Sequence, residues 1–398
     1  MRAFEGIRIL DFTQVLAGPF AVMQLALLGA EVIKIEQPGM GDQTRQLMNE
    51  TDNPLMSAAF MTVNLNKQSM TLNLKDEAAA EIVRRLVADA DVVVENFRTG
   101  TMKRRGLDYE ALSAIKPDLI YCAITGYGQT GPKANEAAYD GAIQAASGMM
   151  SQTGHPATGP TRTGYMPVDM STALNAAFAI SAALHRKAKT GQGQFLDVSM
   201  MDTAVIMQAA QFSNYLNQGK LVGLKGNGSP TGQPTADTYP TRDGYIQITA
   251  LQQHQVETLF GELGLSDMLA QPEYSSPNAR LQHPEAIITA ISKVLKTRST
   301  GDWINRLKHT GIPVAEIKAL ADVAGDPQFE GRNAFVTLPS PYPEDGDVTV
   351  AQAGYVTNVD GPRTTSGPPL LGADTDRILK RIGYTGPDID RLRAAGTI

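Results

Sequence analysis

Apolar runs separated by amphipathic stretches fill the first third of the chain. Residues 7–12 and 31–36 are short apolar runs typical of buried strands. Residues 19–28, between them, have helical spacing, with Pro19 in the first turn and Gly29 after the last. The pattern continues through predicted strands at 69–74, 91–95 and 119–125 and predicted helices at 76–89 and 101–115. Strands that alternate with helices predict a largely parallel sheet covered on both faces.

The opening strand, helix and strand match the start of a dinucleotide-binding fold. Glu36 even lies where a ribose-binding acid would stand, at the end of the second strand. However, residues 16–19 contain one glycine and a proline instead of the glycine fingerprint that cradles a pyrophosphate. The pattern therefore predicts a Rossmann-type topology without nicotinamide binding.

The remaining chain contains a change of character near residue 220. Residues 171–189 form a strong helical pattern, followed by a predicted strand at 193–200 and a helix at 202–216. Residues 220–240 are rich in Gly, Pro and Thr, and the Arg-Asp-Gly run at 242–244 predicts a hairpin. Predicted helices follow at 256–263, 284–296, 300–309, 374–382 and 388–395, with a strand at 347–351. Residues 220–324 are therefore expected to form a linker and a smaller α+β domain.

Composition places the chain among ordinary globular proteins. Hydrophobic residues make up 42% and charged residues 19%. No run approaches the eighteen apolar residues that a membrane span needs, and the first residues have no signal-peptide core. A single cysteine, Cys122, excludes an internal disulfide and fits a reducing cytoplasm. The five histidines show no metal-ligand spacing, so no metal site is expected.

The net charge of −6 argues against a nucleic-acid-binding protein. A local basic pocket for an anionic small molecule is still compatible with an acidic chain. The basic run at Lys103, Arg104 and Arg105 fits such a pocket, and it also fits a solvated helix face.

Short motifs in a fixed order run through nearly the whole chain. They are GIRILDF at 6–12, AGP at 17–19, LGAEVIKIE at 28–36, PGMGD at 38–42, NLNK at 64–67, ENFR at 95–98, GL at 106–107, TGYG at 125–128, YD at 139–140, QA at 144–145, SG at 147–148, TGQGQ at 190–194 and PLLG at 369–372. Together they resemble the class III CoA-transferases, the family of formyl-CoA transferase and carnitine CoA-transferase.

The resemblance implies an α/β fold with a Rossmann-like large domain built from both chain ends and a smaller inserted α+β domain. Residues 1–219 would carry the coenzyme A site and the nucleophile, and residues 325–398 would return to the same domain. It also implies an interlocked homodimer. Coenzyme A and acyl-CoA would be substrates, and no permanently bound cofactor is expected.

The position of Asp169 allows two interpretations. An aspartate just before an apolar helix is often an N-cap. The same position favours an ionised carboxylate and offers backbone N–H groups to a developing oxyanion. In the family that the chain resembles, the matching aspartate is the covalent nucleophile, which an ionised carboxylate can be.

The resemblance also points to the residues that contact coenzyme A: Val15, Ala17, Leu72, Asn96, Phe97 and Arg104. Phe97 would stack on the adenine or pack in a core. Arg104 would supply a cation for the phosphates. Several relatives carry a basic residue where Gln37 and Ala137 stand here, so fewer phosphate contacts are expected.

Two further segments concern the substrate. Gly226, Asn227 and Gly228 resemble the glycine loop that covers the active site in relatives, and they also read as a flexible linker. Tyr139, followed by Asp140, stands where the related acyl-CoA racemases carry a His-Asp pair. Tyrosine is a poor base at neutral pH, which favours transfer over racemisation.

The expected function is transfer of coenzyme A from an acyl-CoA to a small organic acid, such as a dicarboxylate, in the cytoplasm. The transfer would proceed through an aspartyl-acyl anhydride and an aspartyl-CoA thioester on Asp169. The alternatives are an α-methylacyl-CoA racemase and a non-catalytic acyl-CoA-binding protein. Nothing in the sequence identifies the donor and acceptor acids.

Overall fold

The computed structural model describes residues 2–47, 56–341 and 346–398. The contacts divide the chain into two compact units. The first comprises Met1–Ser147, Thr163–Phe212 and Pro327–Ile398, and the second comprises Gly148–Arg162 and Ser213–Asp326. Residues 148–162 and 213–219, which fall within the predicted segment 1–219, cluster with the second unit.

The strands and helices follow one another along both units. The strands are β1 (Arg8–Asp11), β2 (Glu31–Glu36), β3 (Lys67–Thr71), β4 (Val92–Glu95), β5 (Ile120–Thr125), β6 (Gly154–His155), β7 (Gly159–Pro160), β8 (Gln194–Ser199), β9 (Ala236–Pro240), β10 (Tyr245–Thr249), β11 (Val314–Glu316), β12 (Phe335–Pro339) and β13 (Asp347–Ala351). The helices are α1 (Ala17–Leu27), α2 (Ala58–Val63), α3 (Glu77–Ala88), α4 (Tyr109–Ile115), α5 (Asp140–Ala146), α6 (Met149–Gln152), α7 (Pro167–Thr190), α8 (Met200–Met207), α9 (Ala209–Gln218), α10 (Gln253–Leu263), α11 (Ser266–Leu269), α12 (Pro277–Arg280), α13 (Pro284–Leu295), α14 (Thr300–Leu307), α15 (Leu320–Ala324), α16 (Pro327–Gly331), α17 (Thr375–Arg381) and α18 (Gly386–Ala394).

A parallel sheet with strand order β3-β2-β1-β4-β5-β8 forms the centre of the first unit. This order is that of doubly wound folds, in which ligands bind beyond the carboxyl ends of the strands where the order reverses. Here the order reverses between β1 and β4. The predicted parallel sheet is therefore confirmed, and the expected ligand position is the edge where β1 and β4 end.

Successive side chains of each central strand enter two different cores. Leu10 packs with residues of α3 and α17, whereas Ile9 packs with residues of α1 and α7. This alternation follows from the period of two along a strand. Both faces of the sheet are covered, so the central strands are buried along nearly their whole length.

The second unit contains the antiparallel sheet β11-β10-β9. The predicted hairpin at 242–244 is confirmed, because β9 and β10 pair across it. Residues from this sheet and from helices α10, α13 and α14 form one core around the buried Trp303, whose indole N–H donates to the Leu295 carbonyl oxygen.

Three predicted helices differ from the structure. The helix predicted at 101–115 is wrong, because Gly106 has a left-handed backbone (φ +62°) that separates a short 3-10 turn from α4. The helix predicted at 202–216 is broken at Gln208 into α8 and α9. Helix α7 begins at Pro167, four residues before the predicted start. Among the described residues, none of the helices is long and apolar enough to cross a membrane.

Candidate active site

Asp169 lies inside the first turn of α7. Met166 is the N-cap of this helix, Pro167 is its first residue, and Asp169 is therefore its third. Proline suits the first position because its φ is already helical and its missing N–H would have no partner there. The N-cap interpretation of Asp169 is therefore wrong, since the capping group comes from another part of the chain.

Asp140, the first residue of α5, caps α7. One of its carboxylate oxygens, Oδ2, accepts hydrogen bonds from the backbone N–H groups of Val168 (2.8 Å) and Asp169 (3.0 Å). Its other oxygen, Oδ1, accepts from the Gln144 amide, whose own oxygen accepts from the Thr163 N–H. The N–H groups of the first turn of α7 are therefore taken. The expectation that they are free to bind an oxyanion is wrong.

The Asp169 carboxylate is buried and carries no compensating partner. Its residue is 8% exposed, and no hydrogen bond or ion pair reaches its oxygens from residues 2–47, 56–341 or 346–398. Burial, followed by the negative charge of Asp140, raises the pKa of the Asp169 carboxyl to about 7. A group that changes charge near neutral pH inside a cavity is a candidate for catalysis.

A cavity of about 220 Å³ contains Asp169 at the predicted edge of the sheet. Its walls come from the loop after β1, the ends of β4 and β5, and the segment before α5. It brings together five of the predicted site residues, namely Val15, Ala17, Asn96, Phe97 and Tyr139, with Asp169. The lining also includes polar residues that were not predicted there, among them Arg98 and Gln14.

A second cavity, of about 100 Å³, shares two wall residues with the first, Gln14 and Phe97. Leu72 lines this second cavity, as does Arg105, which donates to the Leu74 carbonyl oxygen. Arg104 lines neither cavity. Its guanidinium donates to the Thr101 hydroxyl (3.1 Å), and Thr101 lines the second cavity.

Asn96 contributes to the cavity mainly by holding its wall. Its Oδ1 accepts from the Gln14 N–H, and its Nδ2 donates to the Gln14 carbonyl oxygen, both at 2.8 Å. Glu95, the preceding residue, is buried and accepts from the Phe97 N–H (2.7 Å), and burial raises the pKa of its carboxyl to about 7. The end of β4 therefore fixes both Gln14 and Phe97.

The glycine loop belongs to the second unit. Gly226 has a left-handed backbone (φ +61°) and donates to the Gly154 carbonyl oxygen at 2.8 Å, and Gly228 donates to the Lys225 carbonyl oxygen at 3.1 Å. Residues 226–228, including Asn227, thus form a tight turn anchored to the β6–β7 hairpin. Its role over the active site stays a prediction.

Side chains of His, Cys, Asp and Glu are the usual protein ligands of metal ions. Among the residues that the structure describes, no group of three His, Cys, Asp or Glu side chains is placed to hold a metal ion.

Comparison with known proteins identifies the family of the chain. Residues 4–375 match the model of CoA-transferase family III. The succinyl-CoA:glutarate CoA-transferase of Mus musculus is 36% identical over 399 residues, which cover 100% of this chain and 91% of that protein. The succinate–glutarate CoA-transferase of Agrobacterium fabrum is 36% identical and is covered to 95%, as is this chain.

A solved structure shares the fold as well. The crystal structure of a CAIB/BAIF family protein from Brucella suis superposes with a TM-score of 0.85 at 33% identity, covering 96% of this chain and 99% of that one. The family model and the shared fold both extend over almost the full length of the chain. The chain therefore belongs to CoA-transferase family III, and its enzyme class is that of the class III CoA-transferases.

Proposed function

We propose that this protein transfers coenzyme A from an acyl-CoA, with succinyl-CoA as the first candidate, to a small dicarboxylic acid such as glutarate. The substrate class is drawn from the names of its relatives. One observation supports the chemistry most directly: Asp169 is a carboxylate in a cavity, without a hydrogen-bond or ionic partner among the described residues. An unpaired carboxylate is free to act as a nucleophile.

The proposed reaction conserves the energy of the thioester. An Asp169 oxygen attacks the donor carbonyl, the C–S bond breaks, and coenzyme A leaves as the thiolate, which gives a mixed anhydride. The thiolate then attacks the aspartyl carbonyl carbon. This step forms an aspartyl-CoA thioester and releases the donor as a carboxylate.

The second half reverses these steps with the acceptor. The acceptor carboxylate attacks the aspartyl thioester, expels the thiolate and forms a second anhydride. The thiolate attacks the acyl carbon of the acceptor, which yields the new acyl-CoA and restores the Asp169 carboxylate. Each turnover therefore moves one acceptor oxygen onto Asp169, and when that oxygen attacks in a later turnover it leaves in the donor acid.

The two cavities, which share Gln14 and Phe97 as wall residues, support a path for coenzyme A. The reactive thioester would lie in the cavity of Asp169, and the nucleotide end would lie in the second cavity, with Phe97 between them. Arg98 and Arg105 line this path, and Arg104 stands beside it on Thr101. Guanidinium groups suit the phosphates of the coenzyme.

An isotope experiment tests both the substrate class and the covalent route. The protein is incubated with succinyl-CoA and ¹⁸O-labelled glutarate, with pentanoate as a monocarboxylate of the same chain length. We expect glutaryl-CoA and ¹⁸O in the released succinate, with a much slower reaction of pentanoate. New thioester without ¹⁸O in succinate would refute the anhydride route. Deuterium uptake at an α-carbon without a new acyl-CoA would instead indicate a racemase, and neither signal would indicate a binding protein.

A dimer is part of the same proposal. Helices α7 and α8 of the first unit expose large apolar side chains, Leu174, Phe178, Ile206 and Met207, which are typical of a buried interface. We propose that they pack in an interlocked homodimer of the cytoplasmic enzyme. Sedimentation should give twice the chain mass, and Phe178→Glu should shift the protein towards the monomer, whereas an exposed charge reversal such as Lys103→Glu should not.

A further inference from the structure

The loop between β1 and α1, residues 12–16, is held mostly by side chains from elsewhere in the first unit. Asn96 pairs with both backbone groups of Gln14. The Lys34 ammonium donates to the Thr13 carbonyl oxygen at 2.7 Å. The Val15 N–H donates to Oδ1 of Asp42 at 3.2 Å. The course of this loop therefore depends on groups outside it.

The backbone conformation of Val15 makes the loop depend strongly on these outside groups. Its φ is +69°, in the left-handed region that β-branched residues rarely adopt. Such a conformation persists only where the surroundings hold it, and it is concentrated at functional sites. Val15 and Ala17 line the cavity of Asp169, together with Leu16 between them.

Asp42 does more than cap a turn. Its Oδ1 accepts from the N–H (2.9 Å) and hydroxyl (2.7 Å) of Thr44, which alone would explain a capping residue. The same oxygen also accepts from Val15, and Oδ2 lies 2.9 Å from the Lys34 ammonium. Both ion-pair partners are fully buried. Lys34 and Asp42 together therefore hold the loop by hydrogen bonds at Thr13 and at Val15.

A second buried ion pair contacts the same loop. Asp11 accepts from the N–H of Thr13 and is paired with Lys67 at 2.8 Å, again with both side chains fully buried. Buried pairs of this kind are weak sources of stability, because desolvation offsets much of their attraction. Their arrangement around one loop indicates that they serve its geometry.

We infer that Asp42, with Lys34, is a positioning residue that holds the cavity wall at Val15–Ala17 in the shape that receives acyl-CoA. The link to acyl-CoA rests on the coenzyme path proposed above. The link to the loop rests on the contacts alone.

Asp42→Asn tests the inference with little change in shape. Asparagine has one side-chain oxygen, whereas this site needs an acceptor for Val15 and Thr44 and another for Lys34. We expect the dissociation constant for coenzyme A, measured by calorimetry, to rise about tenfold. We also expect faster hydrogen exchange in a peptide covering residues 12–16, a readout that requires no ligand. Ser69→Ala is the matched control, because Ser69 is buried and bonds to Glu36 but does not touch the loop.

A second variant distinguishes positioning from general support. Glycine adopts a positive φ without strain. Asp42→Asn should therefore lower the affinity for coenzyme A less when it is introduced into the Val15→Gly protein than when it is introduced into the wild type. If Asp42→Asn alone does not fold, we expect the double variant to fold.

Three results would overturn the inference. One is unchanged exchange in residues 12–16 of Asp42→Asn, whether or not coenzyme A binding is detected. Another is equal loss of affinity in Asp42→Asn and Ser69→Ala. The third is a double variant in which Asp42→Asn lowers the affinity for coenzyme A as much as it does in the wild type, or a double variant that fails to fold just as Asp42→Asn alone fails.

Discussion

Asp140 binds the backbone N–H of Asp169 at 3.0 Å and at the same time raises the pKa of the Asp169 carboxyl. The two effects oppose the usual role of a helix start, which favours a negative charge. Here the N–H donors that would stabilise an ionised Asp169 are used by another carboxylate. The pKa of the Asp169 carboxyl is consequently higher than that of an aspartate in a first turn whose N–H groups are free.

The pH dependence of activity should therefore follow the ionisation of the Asp169 carboxyl. In the proposed mechanism the ionised carboxylate attacks, and its pKa is about 7, so kcat/KM should fall tenfold per pH unit below that value and level off above it. Asp140→Asn removes the nearby charge, so the midpoint should move to lower pH, while burial keeps it above the ordinary value. Glu136→Gln removes a carboxylate from the same cavity and should leave the midpoint in place. An unchanged midpoint in Asp140→Asn would contradict the electrostatic account.

Asp169→Asn should abolish transfer and stabilise the fold. The pKa of the Asp169 carboxyl in the folded protein lies above the ordinary aspartate value of 3.8. Between about pH 4 and 7 the folded state therefore holds a proton that the unfolded state has lost. The stability of the wild type should thus decrease with rising pH across this window, by at most about 1.4 kcal/mol for each pH unit. The variant should unfold at a higher denaturant concentration than wild type at pH 8 and at the same one near pH 4. The rate should fall at least about a thousandfold, with coenzyme A binding retained.

Phe97 lines both cavities, so its ring should affect binding more than chemistry. Phe97→Ala is expected to raise KM for the acyl-CoA about tenfold with a small change in kcat, because the ring offers contact area to the substrate in every step. Phe97→Tyr keeps the ring and should stay close to wild type. A fall in kcat at unchanged KM would place Phe97 in the chemical step instead.

The contribution of Arg104 should be visible in the dependence on salt. If its charge acts on the coenzyme phosphates, Arg104→Gln should raise KM at low ionic strength and flatten the rise of KM with added salt. Lys103→Gln removes a charge from the same 3-10 turn. Neither residue lines a cavity, but the Arg104 guanidinium is hydrogen-bonded to Thr101, which lines the second one, so Lys103→Gln should have the smaller effect. Identical salt profiles for the two variants would reduce the role of Arg104 to general surface charge.

The sequence predicts the central sheet well because its signals are local. The apolar runs that become β2, β4 and β5 are bounded by turn residues, and their bounds agree with the predicted ones to within a residue. The break before α4 was also readable, since Gly106 followed by Asp108 is a helix end followed by a helix start. The helix predicted at 101–115 runs across that pair.

The site depends on relationships that no local pattern contains. Asp140 lies 29 residues before Asp169, so nothing near Asp169 reveals its capping partner. Val15 is a residue that disfavours a left-handed backbone, and the contact with Asp42 that holds it is 27 residues away. Lys34 and Lys67 appear as ordinary polar positions within strands, yet both are buried beside carboxylates. Motif resemblance located these positions without giving their physical roles.

The division of the first unit into three chain segments has a consequence for synthesis on the ribosome. Residues 327–398 pack against the sheet through α17, where the Thr375 hydroxyl accepts from the Thr71 N–H at 3.0 Å. Every segment of the second unit is translated before this last segment. The side of the sheet at β3 therefore stays uncovered until the last segment is made, although the second unit has by then been translated in full. A nascent chain stalled near residue 326 should expose that flank to chaperones, and translation speed through the codons that follow should affect the yield of active enzyme.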